Sequence, residues 1–277
     1  MVRIVCWNIN RQRKPWERLK EMAERCEADV ALLQEVGKPP GKLAQFFRYE
    51  NDVFWDPSLF SPRSLVVQLS DRVEVEWFRQ VPPSIGKPKA DEIGVSGVGT
   101  IGAAKVIPRD RPEKAFIAIS MYANWMSVHP CAPGTGRASD VSAHRILSDL
   151  SAFRRCRIVA AGDLNMFYGA CGKRLSMPCR ERTVWERFKA LGLEFLGPQL
   201  PNGRPSAKPQ PDVPAETGNV PTYYTTREKC AANARRQLDY AFASRGFHRQ
   251  VKVRALNGID EWGPSDHCRL LIEVATG

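Results

Sequence analysis

The sequence predicts a layered fold of mixed strands and helices, α/β or α+β, forming one domain over residues 1–277. Three observations carry this. Short β-branched and apolar runs recur along the whole chain. Three helical stripes interrupt them without strict alternation. The strand pattern also resumes on both sides of each long loop, so neither loop reads as a domain linker. Single α/β domains reach ~250 residues, and a chain of this size buries a sizeable core without staples.

The elements follow in order. Arg3–Ile9 is a β-branched run and reads as a strand. Pro15 opens a helix, where its missing N–H costs nothing, and Trp16, Leu19, Met22/Ala23 and Cys26 recur at helical spacing. Asp29–Val36, with Val30, Ala31, Leu32 and Leu33, reads as a buried strand ending at Glu35. Leu65–Leu69, Val73–Phe78, Thr100–Val106 and Ala115–Tyr122 read as further strands. Ser139–Phe153 forms a second helix, with Ala143, Leu147 and Leu150 on one stripe. Arg157–Ala161 is a strand running into Gly162-Asp163, and Thr183–Leu191 is a helix that Gly192 closes. Leu238–Ala243, Val251–Leu256 and Cys268–Val274 end the chain as strands. Two loops stand out: Gly197–Pro221, with seven prolines, and Asn124–Arg137. Loops of this length without secondary structure are usually functional or mobile.

Composition excludes disordered, collagenous and coiled-coil classes, with 43% hydrophobic and 26% charged residues. The 41 Lys+Arg against 30 Asp+Glu give +11, and Arg outnumbers Lys 28 to 13. Such an excess favours a polyanionic partner, a nucleic acid or a phosphorylated lipid surface, and Arg is the better bidentate partner for phosphate. An Arg-rich codon usage accounts for the same bias. Eight cysteines without a CxxC pair are too sparse for a disulfide scaffold. Cys6 and Cys268 lie in apolar runs, as reduced cysteines do, which points to the cytoplasm. The N-terminal residues show no apolar core of a secretory signal, and no run of ~18 apolar residues suits a membrane helix.

Polar residues interrupt the apolar runs at five places: Asn8, Glu35, Asp163 with Asn165, Asp239, and Asp266-His267. Singly, such residues at strand ends cap turns. Together they offer a set of hard oxygen ligands suited to Mg²⁺ or Mn²⁺, with a His beside them as acid, base or phosphate donor.

Trp-Asn-Ile, Leu-Gln-Glu-Val, Gly-Asp-Leu-Asn, Leu-Asp-Tyr and Ser-Asp-His occur in this order over nearly the whole chain. The set resembles the endonuclease/exonuclease/phosphatase superfamily, which includes pancreatic-type deoxyribonuclease, apurinic endonucleases, neutral sphingomyelinases and inositol polyphosphate phosphatases. The resemblance implies a four-layer sandwich, with two mixed β-sheets face to face and helices outside. It also implies hydrolysis of a phosphoester with Mg²⁺ or Mn²⁺. In that reading Glu35 is the principal metal ligand, Asn8 holds the metal shell or a phosphate oxygen, and Asp266 sits near the metal. Asp163 orients or deprotonates the attacking water, and Asn165 holds the phosphate. His267 donates to a non-bridging oxygen, Asp239 orients and charges that His, and Tyr122 contacts phosphate.

The chain departs from the resemblance in two places. Many nuclease members carry an acid where Asn10 stands, which puts a second metal contact in doubt, and their phosphate-binding His has no clear match. His129 lies in a Pro-flanked loop as a surface residue or a substrate contact; His144 and His248 read as structural or solvated. Arg11, Arg13 and Lys14, and Arg235 with Arg236, are either rim cations that steer a phosphate backbone or solvated turn residues. Trp125, Tyr223, Tyr224 and Trp262 are base-stacking aromatics or loop anchors.

The leading expectation is a metal-dependent phosphodiesterase acting as a nuclease on DNA or RNA, with a monomer favoured. The alternatives are a phosphoesterase on a phospholipid, sphingomyelin or inositol phosphate, and an inactive nucleic-acid-binding member.

Overall fold

The computed structural model describes the chain except for Lys38, 51–62, 83–87, Val98, 125–137, 170–179, Pro209 and 211–212. Alternation along the first strand sets the layering. In β1 (Val2–Asn8), Ile4 and Cys6 point to one side and Val5 and Trp7 to the other, and all four are buried. A strand buried on both faces lies between two apolar layers.

The chain continues through α1 (Lys14–Glu24), β2 (Val30–Gln34), α2 (Gly41–Ala44), β3 (Arg48–Tyr49), β4 (Leu65–Gln68) and β5 (Val73–Trp77). Next come β6 (Arg79–Val81), β7 (Glu92–Gly94), β8 (Ile101–Pro108), β9 (Phe116–Tyr122) and α3 (Ala138–Leu150). It ends through β10 (Ile158–Asp163), α4 (Arg180–Ala190), β11 (Leu193–Gly197), β12 (Asp239–Ser244), β13 (Val251–Leu256) and β14 (Arg269–Val274). Among the described residues the strands form two six-stranded sheets, β13-β14-β1-β2-β4-β3 and β11-β12-β10-β9-β8-β5, and a small parallel pair, β6-β7.

Ile4 and Cys6 meet Val30 and Leu32 of their own sheet and Ala118, Val159, Ala161 and Ala241 of the other. Val5 and Trp7 pack outward with Leu33 and Val67 against Trp16, Leu19 and Met22 of α1. On the far side Ile119, Met121 and Phe242 meet Ala143 and Leu147 of α3 and Val184 and Phe188 of α4. The layers therefore run helix, sheet, sheet, helix, which is the four-layer sandwich expected.

Each sheet has a parallel pair at its centre with an antiparallel neighbour: β1 with β2 and β14, β10 with β9 and β12. Register then decides which side chains meet at the strand ends. Asp163 is flanked by Tyr122 on β9 and Asp239 on β12. Asn8 lies opposite Gln34, one residue before Glu35.

The sequence-based elements are all present, with small differences in extent. Leu193–Gly197 is a strand that apolar patterning did not single out. It is a sheet edge, and its burial comes from aromatic packing of Phe195 on Tyr168 and Trp185. The proline-rich Gly197–Pro221 segment is tied down: Gln199 bridges to Asn219, residues 215–217 form a 3₁₀ turn, and Gln237 Nε2 donates to Pro198 O at 2.7 Å. Most of Asn124–Arg137, with Trp125 and His129, lies outside the described residues. Among the described residues no helix is long and apolar enough to cross a membrane. Cys6 and Cys268 are buried free thiols.

Gly162 stands where β10 presses against β9. A Cβ there would collide with the Met121 carbonyl oxygen and lie 2.7 Å from its carbon. Both are central-strand backbone, so neither side yields. Gly162→Ala is expected to lose about 1–3 kcal/mol or more, read as a lowered urea midpoint at unchanged slope. A midpoint equal to wild type would refute the close approach.

Candidate active site

Both sheets deliver polar side chains to the same edge of the sandwich. The first supplies Asn8, Asn10 and Glu35; the second supplies Tyr122, Asp163, Asn165 and Asp239. Asp266 and His267 lie on the segment entering β14. Four residues at this edge adopt left-handed backbone: Asn10 (φ 44), Arg11 (φ 54), Glu35 (φ 48) and Asn165 (φ 49). Asn tolerates that region; for Glu and Arg it costs roughly 1–2 kcal/mol each. The Arg11 N–H donates to the Glu35 carbonyl at 2.8 Å, so the two strained turns brace each other.

Asn8 is fully buried and links the sheets. Its amide nitrogen donates to Glu35 Oε1 at 3.0 Å and to Asp163 Oδ2 at 2.9 Å, while its carboxamide oxygen accepts the Asn10 N–H at 3.0 Å. Its oxygen is thus spent on backbone, and it acts on the two carboxylates through its N–H groups. Asn10 Nδ2 donates to Asp266 Oδ2 at 3.1 Å. Asn165 donates its backbone N–H to Asp163 Oδ1 at 2.8 Å and its side-chain nitrogen to Asp163 Oδ2 at 3.2 Å.

His267 Nδ1 pairs with Asp239 Oδ2 at 2.8 Å, and Nε2 stands 3.8 Å from Asp163 Oδ2. Burial alone would pull the imidazole down, but facing Asp239, Asp163 and Asp266 lift it to about 10. Asp163 is pushed up to about 8, first by burial and then by Asp239 and Glu35, with His267 opposing. The backbone here is fixed as well. Trp7 Nε1 donates to the His267 carbonyl at 2.9 Å, and Thr222 Oγ1 accepts the Leu238 and Asp239 N–H groups at 3.0 and 3.2 Å. Ser265 Oγ donates to the Asn8 carbonyl at 2.8 Å.

A cleft of about 310 Å³ opens among Asn10, Glu35, Asp163, Asn165, Tyr223, Asp266 and His267. Tyr122 lies buried beneath it. Burial, then Glu35 and Asp163, raise its phenol far above the usual value, and its hydroxyl makes no hydrogen bond of good geometry among the described residues. Arg11 faces the same region and acts electrostatically on Tyr122. Arg13 instead pairs with exposed Glu17 at 3.0 Å, and Lys14 is an exposed first residue of α1; neither lines the cleft. Arg236 lies 3.5 Å from buried Glu228. His144 is an α3-to-α4 link, 3.2 Å from Thr183 Oγ1.

The loop aromatics divide. Tyr224 packs on buried Trp262 as an anchor, whereas Tyr223 lines the cleft with its ring 4.7 Å from that of His267. Thr222 supports the site without any signal in the sequence that separates it from an ordinary loop residue, and Trp7 and Ser265, although inside the Trp-Asn-Ile and Ser-Asp-His motifs, carry no sequence mark of their supporting bonds.

Oxygen donors dominate this edge, with Glu35 and Asp266 open to the cleft and more negative charge than His267 alone balances. This fits a hard divalent cation. Among the described residues no three His, Cys, Asp or Glu side chains converge to enclose an ion. A cation of Mg²⁺ type would therefore be held by one or two carboxylates, Glu35 and Asp266, and complete its shell with water and substrate oxygens.

A family profile described as Endonuclease/Exonuclease/phosphatase family matches residues 5–267. The chain belongs to this family. Family members are generally phosphoester hydrolases that use divalent metals, so the chain is a hydrolase of this superfamily. Several solved structures share the fold. The AP endonuclease LMAP from Leishmania major is 16% identical with a TM-score of 0.66, over 100% of this chain and 88% of that one. The endonuclease domain of TRAS1, a telomere-specific non-LTR retrotransposon, is 16% identical with a TM-score of 0.62, over 99% and 98%. The 3' phosphatase NExo from Neisseria, bound to a product DNA hairpin, is 16% identical with a TM-score of 0.58, over 99% and 100%. At these identities the likeness is one of fold. No curated protein matches the chain.

The His267–Asp239 pair makes a direct expectation. Asp239→Asn removes the charge that most raises the imidazole, so His267 titrates from about 10 down toward its ordinary 6.5. NMR of the imidazole protons against pH reads this, and an unmoved titration would show that Asp239 does not charge the ring.

Proposed function

We propose that the chain is a divalent-metal-dependent phosphodiesterase and most often meets its phosphodiester in nucleic acid. The observation that carries this is the arrangement around Asp163. Its carboxylate is held by Asn8 and Asn165, faces a cationic His267 at 3.8 Å, and opens on the same cleft as Glu35. A water proton acceptor, a phosphate-oxygen donor and a metal ligand then lie within one phosphate's reach.

Asp163, held by Asn8 and Asn165 beside His267, takes the proton of the attacking water in its ionised form as the new oxygen–phosphorus bond forms. His267, held cationic by Asp239, donates from Nε2 to a non-bridging phosphate oxygen, where charge develops. The Tyr122 hydroxyl, which has no hydrogen bond of good geometry among the described residues, holds another oxygen, whereas Asn165 spends its side-chain N–H groups on the Ala123 carbonyl and Asp163 and so positions Asp163. The ester P–O bond then breaks, and solvent at the open cleft protonates the leaving oxygen. Glu35 and Asp266 would hold the metal, which would supply Lewis-acid stabilisation of the phosphate and a more acidic water. Asn10 stands where a second carboxylate would be needed for a second ion, so one metal is expected. The +11 charge supports a polyanionic substrate.

Nicking of supercoiled plasmid with Mg²⁺ or Mn²⁺ tests the reading. Asp163→Ala and His267→Ala are expected to lose at least about 10²–10³ in rate, with melting temperature showing an intact fold, and EDTA abolishes turnover. Unchanged turnover in either variant refutes the assigned roles. Failure on plasmid, RNA, abasic duplex, lipid head groups and small phosphodiesters together refutes the activity. Glu35→Gln is expected to weaken Mg²⁺ binding by tenfold or more in calorimetry, roughly the cost of one lost charged ligand.

A further inference from the structure

A second concave site lies beside the catalytic cleft. It has a volume of about 280 Å³, and Lys208, Arg227, Arg235, Asn233 and Glu228 line it. Its one carboxylate is already committed. Glu228 is buried; Oε1 accepts from Arg235 Nε at 2.8 Å, Oε2 accepts the Thr225 N–H at 2.7 Å, and Arg236 lies 3.5 Å away. Glu228 therefore serves as a buttress that fixes two guanidinium groups. Lys208 and Arg227 are exposed, and neither side chain forms an ion pair or hydrogen bond with any described residue. Other exposed arginines, such as Arg13, Arg182 and Arg245, are matched to a glutamate, while Arg109 and Arg111 are exposed without an ion pair among the described residues but line no concavity with further cations. Among the described residues that line it, three cations, Lys208, Arg227 and Arg235, stand against one buried acid, Glu228.

The backbone connects this site to the cleft. Tyr223 bridges to Arg236 on one side and to His267 on the other. Arg236 and His267 are thus two strand spacings apart, roughly 10 Å, with the Tyr223 ring between them. Arg235, the next residue, lines the second site. A phosphate chain leaving the cleft past Tyr223 would meet guanidinium groups held in advance.

Building on the phosphodiesterase reading, we propose that Lys208, Arg227 and Arg235 form a non-catalytic phosphate subsite, which makes this chain select a nucleic-acid strand over a lone phosphodiester. Tyr223 offers the intervening base or sugar a stacking face. Each phosphate neutralised releases counterions, so this subsite writes itself into the salt dependence of binding.

The test is binding of fluorescein-labelled 20-mers (single-stranded DNA, duplex DNA and single-stranded RNA) by anisotropy from 50 to 200 mM salt, with Ca²⁺ as the metal. Lys208→Ala/Arg227→Ala is expected to weaken the tightest of the three about tenfold at 50 mM salt, and to lower the log–log slope by about 1.4–1.8. Arg109→Ala/Arg111→Ala removes the same charge from exposed residues just after β8, at the sheet end opposite the cleft, and is expected to stay within about twofold of wild type. Lys208→Glu alone, at an exposed position, gives a second variant with the same direction. Turnover of a small phosphodiester reports the cleft by itself, and the loss is expected only with the 20-mers. Equal affinity and slope in wild type and double variant, equal losses in both double variants, or no salt-dependent binding of any 20-mer would overturn the subsite. Absence of turnover of the small ester and of all three 20-mers in wild type with Mg²⁺ or Mn²⁺ would instead count against the phosphodiesterase reading, leaving the binding comparison to decide the subsite.

Discussion

One buried carboxamide joins the two halves of the site. Asn8, at the end of a first-sheet strand, donates both to Glu35 of its own sheet and to Asp163 of the other. Two carboxylates at this separation repel, and each is costly to bury without donors. The shared amide supplies donors to both, and its own oxygen is fixed by the Asn10 N–H. The pairing holds only while the sheets keep their relative position, so the sandwich core between Ile4, Cys6, Val159 and Ala161 also sets the geometry of the cleft.

The charge balance of the edge follows from that packing. Asp163, Asp239 and Asp266 face one imidazole, and Glu35 adds its charge beside Asp163. Burial and mutual repulsion raise Asp163, while the same acids keep His267 cationic. The buried Asp239 Oδ1 and Tyr122 hydroxyl have no hydrogen-bond partner among the described residues. The edge thus carries surplus negative charge and unsatisfied buried oxygens, which suits a cation. In the proposed reading, the basic concavity beyond Tyr223 would offset the repulsion between this acidic edge and a polyanion.

Strand and helix positions were largely legible because period-2 and period-3.6 patterns reflect burial, which is local in sequence. The four-layer order came from the resemblance carried by five short motifs. The edge strand Leu193–Gly197 was hidden because its burial depends on Tyr168 and Trp185 rather than on its own alternation. The distinction between Tyr223 at the cleft and Tyr224 as an anchor was equally hidden, since adjacent residues in a loop carry no pattern that says which faces His267. Arg11, Arg13 and Lys14 looked alike as a basic run; the fold aims the first at Tyr122 and leaves the others on the helix start.

By itself the sequence determined residue type and order: which strands end in Asn, Glu or Asp, that Gly162 precedes Asp163, and that the chain is strongly basic. Only the tertiary structure decided which of those ends meet. Register placed Asp163 between Tyr122 and Asp239, and sheet packing brought Asn8 across to it. It also set apart the arginines that Glu228 holds from Lys208 and Arg227, whose side chains make no ion pair or hydrogen bond among the described residues. The reason is physical. Patterning records the burial of each segment in turn, whereas charge pairing, pKa and donor geometry depend on distances of a few ångströms between residues as far apart as Asn8 and Asp163, which packing of the whole core fixes.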